Sequence, residues 1–153
     1  MTRLRLILLA AGGSAALLLG AFTFQYFGYP PCKLCLWQRW PHAVAILLGL
    51  LAVAFPGIAP IALLGAIAAL TTGGIGVYHT GVERGWWEGP NTCTSGSIGG
   101  LSSSELLDKI MNAPLIRCDD VAWQLMGLSM ASWNALISFG LAAIWVVAWR
   151  ARA

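Results

Sequence analysis

Three stretches of this chain carry no Asp, Glu, Lys or Arg. They cover 27 residues between Arg5 and Lys33, 43 between Arg39 and Glu83, and 29 between Asp120 and Arg150. A membrane-spanning helix needs about 20 predominantly apolar residues, so the first and last stretches hold one span each. The middle stretch is too long for one helix and is punctuated by Pro56-Gly57-Ile58-Ala59-Pro60, which reads as a tight hairpin between antiparallel neighbours. The pattern predicts an all-α membrane protein, a four-transmembrane-helix antiparallel bundle. Its helices fall at about 6–27, 36–55, 61–79 and 130–149, in a single integral membrane domain spanning 1–153. Arg3 and Arg5 precede the first run as they would in a signal peptide. That run is longer than a signal's apolar region and lacks a clear small-residue cleavage site, so it is read as the first helix.

Gly12, Ala16 and Gly20, spaced four apart, predict a small-residue face for close packing of the first helix. Gln25 near its outer end is read as an interfacial polar residue. Pro41 suits the first turn of a helix begun near Trp40 and would kink one begun at Cys35. Gly73, Gly74 and Gly76 weaken the third helix unless a neighbouring helix or a flat ligand packs there. The outer loop, 81–120, carries a capping box at Ser102 and Glu105 with a Leu101/Leu106 staple. Leu106, Leu107, Ile110 and Met111 give that short helix one apolar face, and Pro114 ends it, so it is expected to lie flat on the membrane or against the protein.

Composition and charge agree. The chain is 58% hydrophobic and 10% charged, against about a quarter charged in soluble domains. Arg3, Arg5, Arg150 and Arg152 lie in the tails, whereas all six acids fall between Glu83 and Asp120. The excess of cations in the tails places both termini in the cytoplasm. The two loops that carry cysteines then face outward, onto the oxidising side where disulfides persist. The net charge of +3 is a topology signal and gives no hint of nucleic-acid binding.

The four cysteines are the candidate chemistry. Cys32 and Cys35 form a Cys-x-x-Cys pair, whose small ring suits thiol exchange. A helix starting near Cys35 would lower that thiol's pKa through its positive end, and Arg39 four residues on would add a second cation. Cys93 and Cys118, in the outer loop, are separated by 24 intervening residues. Four cysteines allow three pairings. A zinc site, a non-enzymatic protein braced by two structural disulfides, and a redox relay are all compatible with the spacing. The exposed, Gly- and Ser-rich setting of Cys93 favours the relay, and no metal ligand set is assigned. No haem, flavin or iron–sulfur signature is present. A two-electron acceptor dissolved in the bilayer, a quinone, is the simple remaining exit. His79, at the outer end of the third helix and near the depth of Cys35 and Arg39, is a further candidate beside it.

Cys32-Lys33-Leu34-Cys35-Leu36-Trp37-Gln38-Arg39 resembles the signature of the bacterial disulfide bond formation protein B (DsbB) family. The likeness extends through Phe24-Gln25, Tyr78-His79-Thr80, Asn91-Thr92-Cys93, Cys118-Asp119-Asp120, Trp123 and Gly127-Leu128-Ser129-Met130. Lys33 and Gln38 stand at variable places of that pattern and are given no role. The resemblance implies a thiol oxidase of the bacterial inner membrane. It would reoxidise a periplasmic DsbA-like thioredoxin-fold partner and pass the electrons to ubiquinone or menaquinone. It further implies that Cys93, paired with Cys118, meets the partner, that Cys118 exchanges with Cys32, and that Cys35 is left as the thiolate engaging the quinone. Arg39 would support that quinone, with His79 a weaker candidate. The vitamin K epoxide reductase family shares such chemistry but carries its pair late in the chain, and the early pair here argues against it.

Overall fold

The computed structural model of the chain describes residues 2–55, 57–90, 102–104, 107, 111 and 117–151. Its four long helices are α1 (Arg3–Tyr26), α2 (Lys33–Ala54), α3 (Pro60–Glu83) and α4 (Met130–Arg150), each long and apolar enough to cross a membrane. Sequence neighbours pack side by side, and α4 closes the ring against α1 and α3. Arg3 donates to the carbonyl of Ala151 through Nε and Nη2, tying the two ends of the chain to one end of the bundle. The expected short helix and Cys93 fall in a stretch where Cys93, Leu101, Glu105, Leu106 and Ile110 all lie outside the described residues.

The bundle turns many large apolar side chains outward and keeps several polar ones inside a mainly apolar core. Leu19, Leu47, Leu50 and Ile67 face outward, while Ser14, Gln38, His42, Thr72, His79 and Ser138 are buried. Lipid is as apolar as leucine, so the helices associate through close packing and internal hydrogen bonds. Gly49 admits Ala11, Gly65 lies under the Trp145 ring, and Gly76 sits against Ala131 and Ala135. Gly73 meets Phe139, so a neighbouring helix is what fills the glycine-rich turn of α3 at Gly73 and Gly76; Gly74 has no such neighbour. The expected small-residue face of α1 is corrected. A Cβ at Gly12 or Gly20 would touch nothing within 4 Å, and it is Ala10, Ala11, Gly13 and Ser14 that turn to the neighbouring helices.

Two helix ends shape the chemical end of the bundle. After α1, Gly28 adopts φ +93°, Tyr29 N–H donates to Phe24 and Gly28 N–H to Gln25, a Schellman stop. After α3, Gly85 at φ +69° repeats it, with Trp86 N–H on Gly81 and Gly85 N–H on Val82. That stop lies one turn beyond the expected end at residue 79. The added turn sets Glu83 four residues from His79 on one helix face. Before α4, Gln124–Leu125 and Leu128–Ser129 pair as a small antiparallel hairpin, turning at Met126 and Gly127. Ser129 then caps α4 by accepting from Ser132 N–H at 3.2 Å.

Candidate active site

Tyr29-Pro30-Pro31 carries the chain from the end of α1 to Cys32, the N-cap of α2. The expected start of α2 lay near Leu36 or Trp40; the helix begins at Lys33 because the Cys32 Sγ accepts the Cys35 N–H at 3.2 Å. Pro41 is thereby enclosed within α2. The positive end of the helix therefore serves Cys32, where the sequence had suggested Cys35. The two sulfurs lie 3.0 Å apart as free thiols. Cys32 is 6% exposed. Its pKa is held below the ordinary thiol value, chiefly through the hydrogen bond from Cys35, with His79 and the Cys35 N–H adding to it against the opposing effect of burial.

α3 delivers His79 to the same point. Its Nε2 is 3.5 Å from Cys32 Sγ and 3.8 Å from Glu83 Oε1, and its ring also hydrogen-bonds the backbone of Cys118. Cys118 is disulfide-bonded and buried, and it packs with Cys32, Leu34 and Val82 in one cluster. One of the two distant cysteines is thus brought against the Cys-x-x-Cys pair. Nearby, Arg117 donates to both carboxylate oxygens of Asp119, which holds the Asp119 carboxyl below its ordinary pKa.

Arg39 lies four residues beyond Cys35. Its guanidinium turns to α1, donating to Gln25 Oε1 at 2.7 Å and the Ala21 carbonyl at 3.2 Å, and stacks over the Phe22 ring at 4.8 Å. Gln25 is therefore a partner of the site and more than an interfacial residue. Arg39 Nε is buried with no hydrogen-bond partner. A cavity of about 370 Å³ is walled by Cys32, Cys35, Arg39 and His79 together with apolar residues such as Leu17, Phe24 and Trp133. An apolar, ring-shaped molecule with a carbonyl oxygen fits this donor set, because its oxygen would satisfy the orphaned Nε–H in an otherwise apolar slot.

Three residues without an assigned role also line the cavity: Gln38, His42 and Asn134. Gln38 Nε2 reaches His79 Nδ1 at 2.9 Å, Asn134 Nδ2 reaches Gln38 Oε1 at 2.7 Å, and His42 Nε2 reaches Asn134 Oδ1 at 2.9 Å. His42 and Asn134 are polar residues inside charge-free spans, the one signal that could have marked them; Gln38, between Lys33 and Arg39, carries no such mark. The zinc alternative drew its ligands from both cysteine pairs. Cys118 is disulfide-bonded, and among the described residues the grouping within reach is Cys32, Cys35 and His79, whose donor atoms all lie within 4.8 Å of one another.

Comparison with known proteins finds relatives along nearly the whole chain. The family model for disulfide bond formation protein DsbB matches residues 3–148. A disulfide bond formation protein B of Azoarcus sp. (strain BH72) is 29% identical over 140 residues, covering 86% of this chain and 81% of the relative. An uncharacterized protein of Rickettsia prowazekii (strain Madrid E) is 30% identical over 126 residues, covering 79% of this chain and 73% of the relative. No solved structure matches.

Proposed function

Because this chain belongs to the family of disulfide bond formation protein DsbB, we propose that it is a membrane thiol:quinone oxidoreductase. It takes two electrons from a periplasmic DsbA-type dithiol oxidase and passes them to ubiquinone or menaquinone, sustaining disulfide formation in exported proteins. In this reading both termini are cytoplasmic and the cysteines face the periplasm of a bacterial inner membrane. The observation that carries it is the meeting of Cys32, Cys35, His79 and Arg39 around one cavity, with Cys118 packed against Cys32.

The relay is a series of thiol exchanges. A partner thiolate attacks Cys93, breaking Cys93–Cys118 and leaving Cys118 as the thiolate. Cys118 attacks Cys32, breaking Cys32–Cys35 and leaving Cys35 as the thiolate. The partner's second thiol closes its own disulfide and releases Cys93, which retakes Cys118 and frees Cys32. The partner has lost two electrons and two protons, and Cys32 and Cys35 have gained them. Low thiol pKa makes Cys32 a good leaving group in the last exchange.

The quinone, when bound, supplies a two-electron, two-proton acceptor. Arg39 would hold its oxygen through the free Nε–H, and Phe24 and Leu17 would exclude water around it. His79 Nε2, 3.5 Å from the Cys32 sulfur, stabilises the Cys32 thiolate by hydrogen bonding.

The purified protein in detergent, given reduced DsbA-like partner and a soluble quinone analogue, tests this directly. Quinone absorbance should fall catalytically, and Cys35→Ser or Cys93→Ser should abolish the loss. A wild-type protein that leaves the quinone untouched while its disulfides stay intact overturns the assignment.

A further inference from the structure

The hydrogen bonds that lead away from His79 run in one sense across three helices. Their direction is fixed by a single backbone group. Gln38 Nε2 lies 3.2 Å from the carbonyl of Leu34, which can only accept. The amide nitrogen of Gln38 must therefore stand there, and its second hydrogen goes to His79 Nδ1 at 2.9 Å. That makes Nδ1 the acceptor and leaves the imidazole proton on Nε2, facing Cys32 Sγ at 3.5 Å. Gln38 Oε1 is then the acceptor for Asn134 Nδ2 at 2.7 Å. Asn134 Oδ1 is left to accept from His42 Nε2 at 2.9 Å. Thr72 locks the centre, donating to the Gln38 carbonyl at 3.0 Å while accepting the other Asn134 hydrogen at 3.2 Å.

The chain of donors is thus His42 Nε2–H, Asn134 Nδ2–H, Gln38 Nε2–H and His79 Nε2–H, ending on sulfur. We propose that Asn134 and His42 are positioning residues: acting through Gln38, they hold His79 as the Nε2–H tautomer aimed at the Cys32 sulfur. Neither touches the thiols. Aligned hydrogen bonds polarise one another in a low-dielectric interior, so each donor strengthens the one nearer the sulfur. The same arrangement explains why polar side chains are kept inside three apolar helices, where each is costly without a partner. The proposal deepens the relay reading, since it names what prepares Cys32 for exchange, yet its test requires neither partner nor quinone.

The ionisable groups facing Cys32 are Cys35 on its own helix and His79 and Glu83 on α3. Arg39, Arg117 and Asp120 share the cavity wall. None is altered by substitution at 134 or 42. The readout is the rate of iodoacetamide alkylation of Cys32 against pH in the reduced, otherwise intact protein. Cleavage after Lys33 separates Cys32 from Cys35, so mass spectrometry follows each thiol alone.

Asn134→Leu removes the donor to Gln38 and frees its amide. It should move the alkylation midpoint upward, by about a tenfold change in the ionised fraction on the acid limb. Asn134→Asp removes the donor to Gln38 and adds a carboxylate charge to the network, and should shift the midpoint further the same way. His42→Leu should give a smaller shift in that direction, and His42→Gln, which restores a donor, should reverse it. The His42 pair decides the matter if the position 134 variants fail to fold. An unchanged midpoint in folded Asn134→Leu, or equal midpoints for His42→Leu and His42→Gln, overturns the proposal even if quinone reduction is intact. Shifted midpoints uphold it even if no quinone is reduced.

Discussion

His79 Nε2 stands 3.5 Å from the sulfur of Cys32, on a helix that begins 28 residues beyond that cysteine. The sulfur receives hydrogen bonds from its own helix end and from a second helix at once. This convergence favours the ionised thiol, and a pH dependence follows.

Hydrogen bonds from Cys35 and His79 hold the Cys32 thiol below the value of about 8.5 for an unfolded thiol. A depressed acid pKa stabilises the folded state fully above the unfolded value, and the contribution is lost as pH falls through the folded one. The melting temperature of reduced wild type should therefore exceed that of reduced Cys32→Ala by most at pH 9. The gap should narrow progressively as pH falls below that value. Thermal scans of both proteins across that range check this, and a gap that widens on acidification contradicts it.

Arg39 predicts a separation between the two halves of the relay. Its fork engages Gln25 and Ala21 and leaves Nε free, a geometry lysine cannot reproduce. Losing a charged hydrogen bond of about 1.5–3 kcal/mol corresponds to roughly ten- to a hundredfold in affinity. Arg39→Lys should raise KM for a quinone analogue within that range and leave mixed-disulfide formation at Cys93 unchanged. Equal losses in both steps would assign Arg39 a purely structural part.

Packing at the opposite end predicts a stability effect without a catalytic one. A Cβ on Gly65 would fall 2.5 Å from ring atoms of the fully buried Trp145. Overpacking of this kind costs about 1–3 kcal/mol. Gly65→Ala should lower the melting temperature in detergent while leaving the Cys32 alkylation profile at its wild-type midpoint.

The helices were legible because a run without charges has one stable form in lipid. Their facing was not: where every side of a helix is apolar, the spacing of Gly12, Ala16 and Gly20 cannot say which side meets a neighbour, and the contacts fell on Ala10, Ala11 and Gly13 instead. The start of α2 was hidden because its cap is a thiol, a residue type outside the usual Ser, Thr, Asp and Asn signal. The cysteines, Arg39 and His79 stand out by residue type and motif. Gln38, His42 and Asn134 do not, since their part depends on which polar atoms three separate helices bring together, and local spacing does not record that.

The most direct test of the account isolates the inner pair. A Cys93→Ser/Cys118→Ser protein, reduced and freed of reductant without oxygen, retains only Cys32 and Cys35 as thiols. Mixed with a quinone analogue, it should lose both thiols and consume one quinone per chain, forming the Cys32–Cys35 disulfide. Thiols that persist in the presence of excess quinone would contradict the assignment of this cavity as the place where electrons leave the protein.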